Sequence, residues 1–119
     1  MEKTITELIW DVINDISANK GKYDPVTLSE QLITLSTLYA NLTEKIAEFE
    51  NQYHGVVGMA LDKDPKMPYN KIEKEAKRGN EYYRLRKAEA LEKAVIQIIR
   101  SSNKFIRLKE QEQQITKYQ

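Results

Sequence analysis

Near the start of the chain, apolar residues fall at Ile5, Leu8, Ile9, Val12, Ile13 and Ile16. Steps of three and four put them on one face of a helix with 3.6 residues per turn, so an amphipathic helix A is expected over about 4–19. Thr4 and Glu7 have the spacing of a capping box, and Gly21 supplies a stop. A longer pattern opens at Asp24-Pro25, where Asp suits the N-cap and Pro the first helical position. Thr27 with Glu30 offers an alternative start slightly later. The apolar positions then form two heptad sets: Leu28, Leu35, Leu42, Phe49 and Val56, and Leu32, Tyr39, Ile46, Tyr53 and Ala60. Their alternating steps of four and three describe a coiled-coil-like seam on helix B, expected over about 24–61. Gly55 and Gly58 are candidates for a kink, a stop or a close helix approach near its end.

Pro65 and Pro68 mark a turn over 62–69. Helix C is expected over about 70–117, opened by Asn70 with Glu73 at capping-box spacing and open to a break at 79–80, where Gly79-Asn80 stands. Its main piece carries Ala88, Leu91, Val95, Ile98, Ser102 and Phe105 at steps of three and four, and Ala94, Ile99 and Ile106 widen that face. Two long helices of similar length around a short turn predict an antiparallel hairpin. The expected fold is all-α: a single domain over 1–119, an elongated three-helix bundle in which helix A lies on a long coiled-coil-like hairpin. The seam between partner helices is assigned to Leu28, Leu32, Leu35, Tyr39, Leu42, Ile46, Phe49 and Tyr53, facing Leu91, Val95, Ile98 and Phe105. Two long helices paired alone bury little per residue, so the wide face with Ile98, Ile99 and Ile106 points to further burial in a homo-oligomer.

Composition narrows the class. With 119 residues, 40% apolar and 31% charged, the chain is suited to one folded domain rather than to disorder. It has no cysteine, which excludes disulfides, thiolate metal sites and a cysteine nucleophile. The residues after Met1 lack the basic start and apolar run of a signal peptide, and no stretch approaches the roughly 20 apolar residues of a membrane helix. A cytoplasmic location away from the membrane is the expectation.

Net charge is +1, yet residues 1–64 hold 5 basic and 11 acidic side chains and residues 65–119 hold 14 and 7. An acidic helix B against a basic helix C would fix register and discourage wrong pairings, through pairs worth at most about 1 kcal/mol each. The other use of the charge is external. Arg86, Lys93, Arg100, Lys104 and Arg107 recur at helical spacing as one stripe, with Tyr82, Tyr83 and Arg84 near its start. A basic stripe with aromatic rings is a footprint for nucleic acid, or for an acidic protein surface.

Motifs for catalysis are sparse. His54 is the single histidine, which cannot build a His-rich metal site or a Ser-His-Asp triad, and reads as structural or surface. Asp11 with Asp15, and Glu44 with Glu48, each share a helix face and would hold Mg²⁺ if the helices met there, as in all-helical nucleotide pyrophosphohydrolases. Those enzymes' paired Glu-x-x-Glu and Glu-x-x-Asp pattern is missing, so no catalytic residue, metal or cofactor is assigned. Gly55-Val-Val-Gly58 has the spacing of a KH loop, but that fold needs strands that this sequence does not offer. Trp10 lies just off the helix A face and is expected to be half-buried against another helix, with an exposed anchor as the alternative.

Asp24 to Leu32 reads Asp-Pro-Val-Thr-Leu-Ser-Glu-Gln-Leu at the entry of a Leu-rich helix, followed by an aromatic and Glu-rich stretch from Glu44 to Tyr53. A second helix carries Glu-Tyr-Tyr-Arg-Leu-Arg-Lys from Glu81 to Lys87 and Ile-Arg-Ser-Ser-Asn-Lys-Phe-Ile-Arg-Leu from Ile99 to Leu108. In these faces the chain resembles small helical proteins of tailed bacteriophages over about Asp24 to Glu112. The resemblance implies a phage protein acting by contact in the host cytoplasm or the particle, and it carries no catalytic residues. The leading expectation is a non-enzymatic adaptor, inhibitor or assembly component with a protein partner. A nucleic-acid-binding accessory protein is the alternative, and a metal-dependent nucleotide hydrolase a distant third.

Overall fold

The structure is a computed structural model that describes residues 2–19, 22 and 24–118, the side chains of 116–118 excepted. It is all-α among the described residues, with four helices: α1 (Ile5–Asn19), α2 (Pro25–Lys63), α3 (Tyr69–Ala76) and α4 (Asn80–Tyr118). The stretch expected as one helix C is therefore two helices. The stop expected at Gly21 lies outside the described residues.

Local chemistry sets the helix ends. The Thr27 backbone N–H donates to Asp24 Oδ1 at 2.7 Å, so of the two possible starts of α2 the Asp-Pro one is used. The Glu7 N–H donates to Thr4 Oγ1 at 3.2 Å at the head of α1. The cap expected at Asn70 does not form. Helix α3 starts one residue earlier behind Pro68, without a side-chain cap, and Glu73 instead pairs with Lys77 at 3.1 Å. Helix α2 runs unbroken past Gly55 and Gly58 and stops at Asp64, whose φ and ψ of −141° and 82° leave the helical region just before Pro65. Helix α3 closes with short bonds from the Arg78 N–H to the Glu75 carbonyl and from the Gly79 N–H to the Ala76 carbonyl, both 3.1 Å, before α4 begins.

Helices α2 and α4, each 39 residues and so about 58 Å long, pack antiparallel. Tyr53 meets Tyr82 at 5.3 Å between ring centroids at one end, and Leu32 lies across from Ile99 and Asn103 towards the other. Helix α1 leans mainly on α2 and lightly on α4, and α3 packs on α2. The core is Ile9, Ile13 and Ile16 from α1, the seam of α2 from Leu28 to Val57, Ile72 and Ala76 from α3, and Leu85, Ala88, Leu91 and Val95 from α4. Two details depart from the heptads. After Tyr53 the buried position is Val57 rather than Val56, as 3.6 residues per turn drift against a strict seven-residue repeat. Tyr39, Phe49, Ile98 and Phe105 are only partly buried, at the edges of the seam. Ser102 is fully buried on α4, and its hydroxyl has no hydrogen-bond partner among the described residues.

The molecule measures 75 × 33 × 19 Å, with a radius of gyration of 20.5 Å against about 14 Å for a compact chain of this length. Its accessible surface of 8895 Å² exceeds the roughly 6,700 Å² typical of a monomer of this mass. The shape is thin because helices α2 and α4 are covered by others over only part of their surface.

Candidate functional site

One uncovered region is a shallow groove of about 500 Å³ where Ser29, Leu32, Ile33, Ser36 and Thr37 of α2 face Ile99 and Asn103 of α4. No α1 side chain lines it. Leu32 is buried, while Ile33 beside it keeps 69% of its surface exposed. Nearby hydroxyls are satisfied within their own helix: Thr37 Oγ1 donates to the Ile33 carbonyl at 3.1 Å and Thr43 Oγ1 to the Ala40 carbonyl at 2.7 Å. Covering groups that already have partners carries little desolvation cost. The sequence reading passed over Ile33 because it lies off the heptad seam. The available signal was charge: Gln31 to Thr43 contains no charged residue in a chain that is 31% charged.

A second concavity lies where the first turns of α1 approach α4. Trp10, Thr6 and Glu7 of α1, Phe49 of α2, and Arg84, Lys87 and Leu91 of α4 line a cleft of about 480 Å³. It exists because α1 leans on α2 and leaves a gap towards α4. Trp10 is half-buried: it keeps 42% of its surface, since the α4 side chains next to it are the small Ala90 and the long Lys87.

The expected charge pairing between the long helices is absent. Among the described residues no ion pair joins α2 to α4; the four present are Lys3–Asp11 at 2.6 Å, Lys45–Glu48 at 3.2 Å, Lys77–Glu73 at 3.1 Å and Lys109–Glu112 at 3.4 Å, all local in sequence. The facing surfaces of α2 and α4 are apolar, so charges sit on the outer faces, beyond reach of each other. Arg84, Arg86, Lys93, Arg100, Lys104 and Arg107 are exposed, and none is in an ion pair among the described residues. Tyr83 is also exposed, with the Lys87 ammonium 5.7 Å from its ring centre. Tyr82 does not belong with them: it packs half-buried on Tyr53 under the Lys77 ammonium, clamping α4 to α2. Burial pushes the Tyr53 hydroxyl above its ordinary pKa, and the Glu73 carboxylate raises Lys77.

The structure does not gather the carboxylates considered for Mg²⁺. Asp11 is held by Lys3, Asp15 accepts from the Asn19 amide at 3.1 Å, and Glu48 pairs with Lys45 on α2. Among the described residues no three of His, Cys, Asp and Glu come together to hold a metal. His54 is exposed, its ring 5.7 Å from that of Tyr53. Gly55 and Gly58 are interior to α2, and a Cβ on either would meet nothing within 4 Å, so neither marks a helix end or a close helix approach. No helix among the described residues is long and apolar enough to cross a membrane. Compared with protein-family models, with curated proteins and with solved structures, the chain has no match.

Proposed function

We propose that this protein is a non-enzymatic helical interaction module, an assembly component or adaptor, whose α2–α4 groove seats a second copy of the chain. The observation that carries the reading is the charge-free stretch Gln31–Thr43, which includes an Ile33 that is 69% exposed and whose carbonyl takes the Thr37 hydroxyl. Stable interfaces remove roughly 1,200–2,000 Å² in total, and the accessible surface here exceeds that of a typical monomer by about 2,200 Å², enough to supply one. The neutral rim favours a like surface over a charged partner. The phage-like sequence pattern supports a setting in an infected host or a particle.

Because the chain lacks cysteine, a spin label at Ser36→Cys reports the groove alone. Dipolar coupling between labels in the pure protein, lost on dilution with unlabelled chain, is the expected result. Labels that stay uncoupled at micromolar protein would remove the reading.

A second reading is favoured by the row of unpaired cations on α4: binding of nucleic acid through phosphate contacts. Charge reversal at Arg100, Lys104 and Arg107 then weakens oligonucleotide binding with helicity unchanged. Binding indifferent to those changes would take the stripe out of consideration.

A further inference from the structure

We infer that the cleft between α1 and α4 is a seat for single-stranded nucleic acid, with a base stacked on Trp10 and the adjoining phosphates held by Arg84 and Lys87. The inference rests on the second reading above, that the chain binds nucleic acid, and moves the specific contact from the outer stripe to a concave site. An exposed indole and two cations line one concave surface here. Trp10 presents 42% of its surface at the mouth, with Phe49 and Leu91 lining the cleft as apolar surface. Arg84 and Lys87 stand on the α4 lip, neither in an ion pair among the described residues. Glu7 is a carboxylate on the wall, one against the two cations Arg84 and Lys87.

A half-exposed indole beside unpaired cations suits a ligand that is flat and anionic at once. A nucleotide joins both properties in one unit, and its stacking is worth enough to matter even without base-edge recognition. The strand must be single, because a base within a duplex is already stacked and cannot reach the ring. An acidic peptide would satisfy Arg84 and Lys87 but has no flat group to match Trp10.

The chain contains one tryptophan, so its fluorescence reports this cleft and no other place. Titration of the whole protein with short oligo(dT) and oligo(U) is expected to quench Trp10 emission to saturation. The apparent affinity should fall steeply with added salt. The pair Arg84→Glu and Lys87→Glu should abolish the quenching while circular dichroism stays helical. With a labelled oligonucleotide, Trp10→Phe should weaken binding roughly tenfold, as expected for a lost indole platform. Binding seen by anisotropy with Trp10 emission unchanged would refute the cleft and leave the outer stripe standing. Absence of binding at low salt would refute both. Equal quenching by poly-glutamate would also overturn the proposal, since the site would then take acidic peptides.

Discussion

The α2–α4 groove and the α1–α4 cleft differ in what their walls are made of. The α2–α4 groove is neutral: small hydroxyl residues, Asn103 and aliphatic side chains, with the Thr37 hydroxyl bonded to its own helix. The α1–α4 cleft is aromatic and cationic. A neutral apolar groove gains from any surface that excludes water and has no preference for charge, which suits a second copy. A cleft with unpaired cations gains most from an anion, and its affinity should depend on salt. Helix α1 makes the distinction, because it covers part of the hairpin and brings Trp10 to the edge of α4.

The largest effect should separate covered from uncovered faces. Ile16, fully buried on the inner face of α1, is expected to cost about 2–5 kcal/mol when changed to Ala. Ile33→Ala should stay within about 0.5 kcal/mol in a dilute monomer, since the side chain is 69% exposed. Urea denaturation of the two variants measures the contrast, and equal losses would mean that Ile33 is packed within the monomer. Next come the glycines of α2. With open space where a Cβ would stand, Gly55→Ala and Gly58→Ala should each raise the midpoint, by about 1 kcal/mol in stability. A loss at either would show that a neighbouring surface needs that position bare. Of similar or smaller size is Ser102→Ala, which removes a buried hydroxyl without a partner and should be neutral or stabilising by about 1 kcal/mol.

The smallest expected effect is in acid. The Thr27 N–H holds the Asp24 carboxyl below its ordinary value of 3.8. Its contribution to stability is therefore complete above that value and is lost as pH falls through the lower, folded value. Asp24→Asn keeps a cap without a titrating group, so its stability should fall less steeply below about pH 4 than that of the unaltered chain. Parallel acid titrations followed by circular dichroism would reveal the difference, and superimposable curves would show that the cap does not form.

Much of the fold was legible because burial repeats with the helical period. The heptad seam of α2, the Asp24-Pro25 start and the interruption near Gly79 are all written in local spacing. What periodicity does not carry is which residues face one another in space. The oppositely charged halves suggested cross-helix ion pairs, yet apolar side chains hold the contact and leave the charges outside. Tyr82 reads as part of a basic, aromatic surface in sequence, but contact with Tyr53 on α2 makes it a packing residue. Ile33 was under-read for the same reason: it lies off a seam, and its exposure depends on where α1 comes to rest. The charge-free run from Gln31 to Thr43 is a signal of a different kind, since it marks a stretch of α2 whose exposed face, with Ile33, Ser36 and Thr37, carries no charge.

Sedimentation equilibrium of the unaltered chain and of Ile33→Glu, across micromolar concentrations, decides whether the α2–α4 groove seats a second copy. The expected result is a mass approaching twice 13.9 kDa for the unaltered chain and 13.9 kDa for the variant, with equal helicity. A mass of 13.9 kDa for the unaltered chain throughout, or a dimer indifferent to Ile33→Glu, would show that the groove stays open.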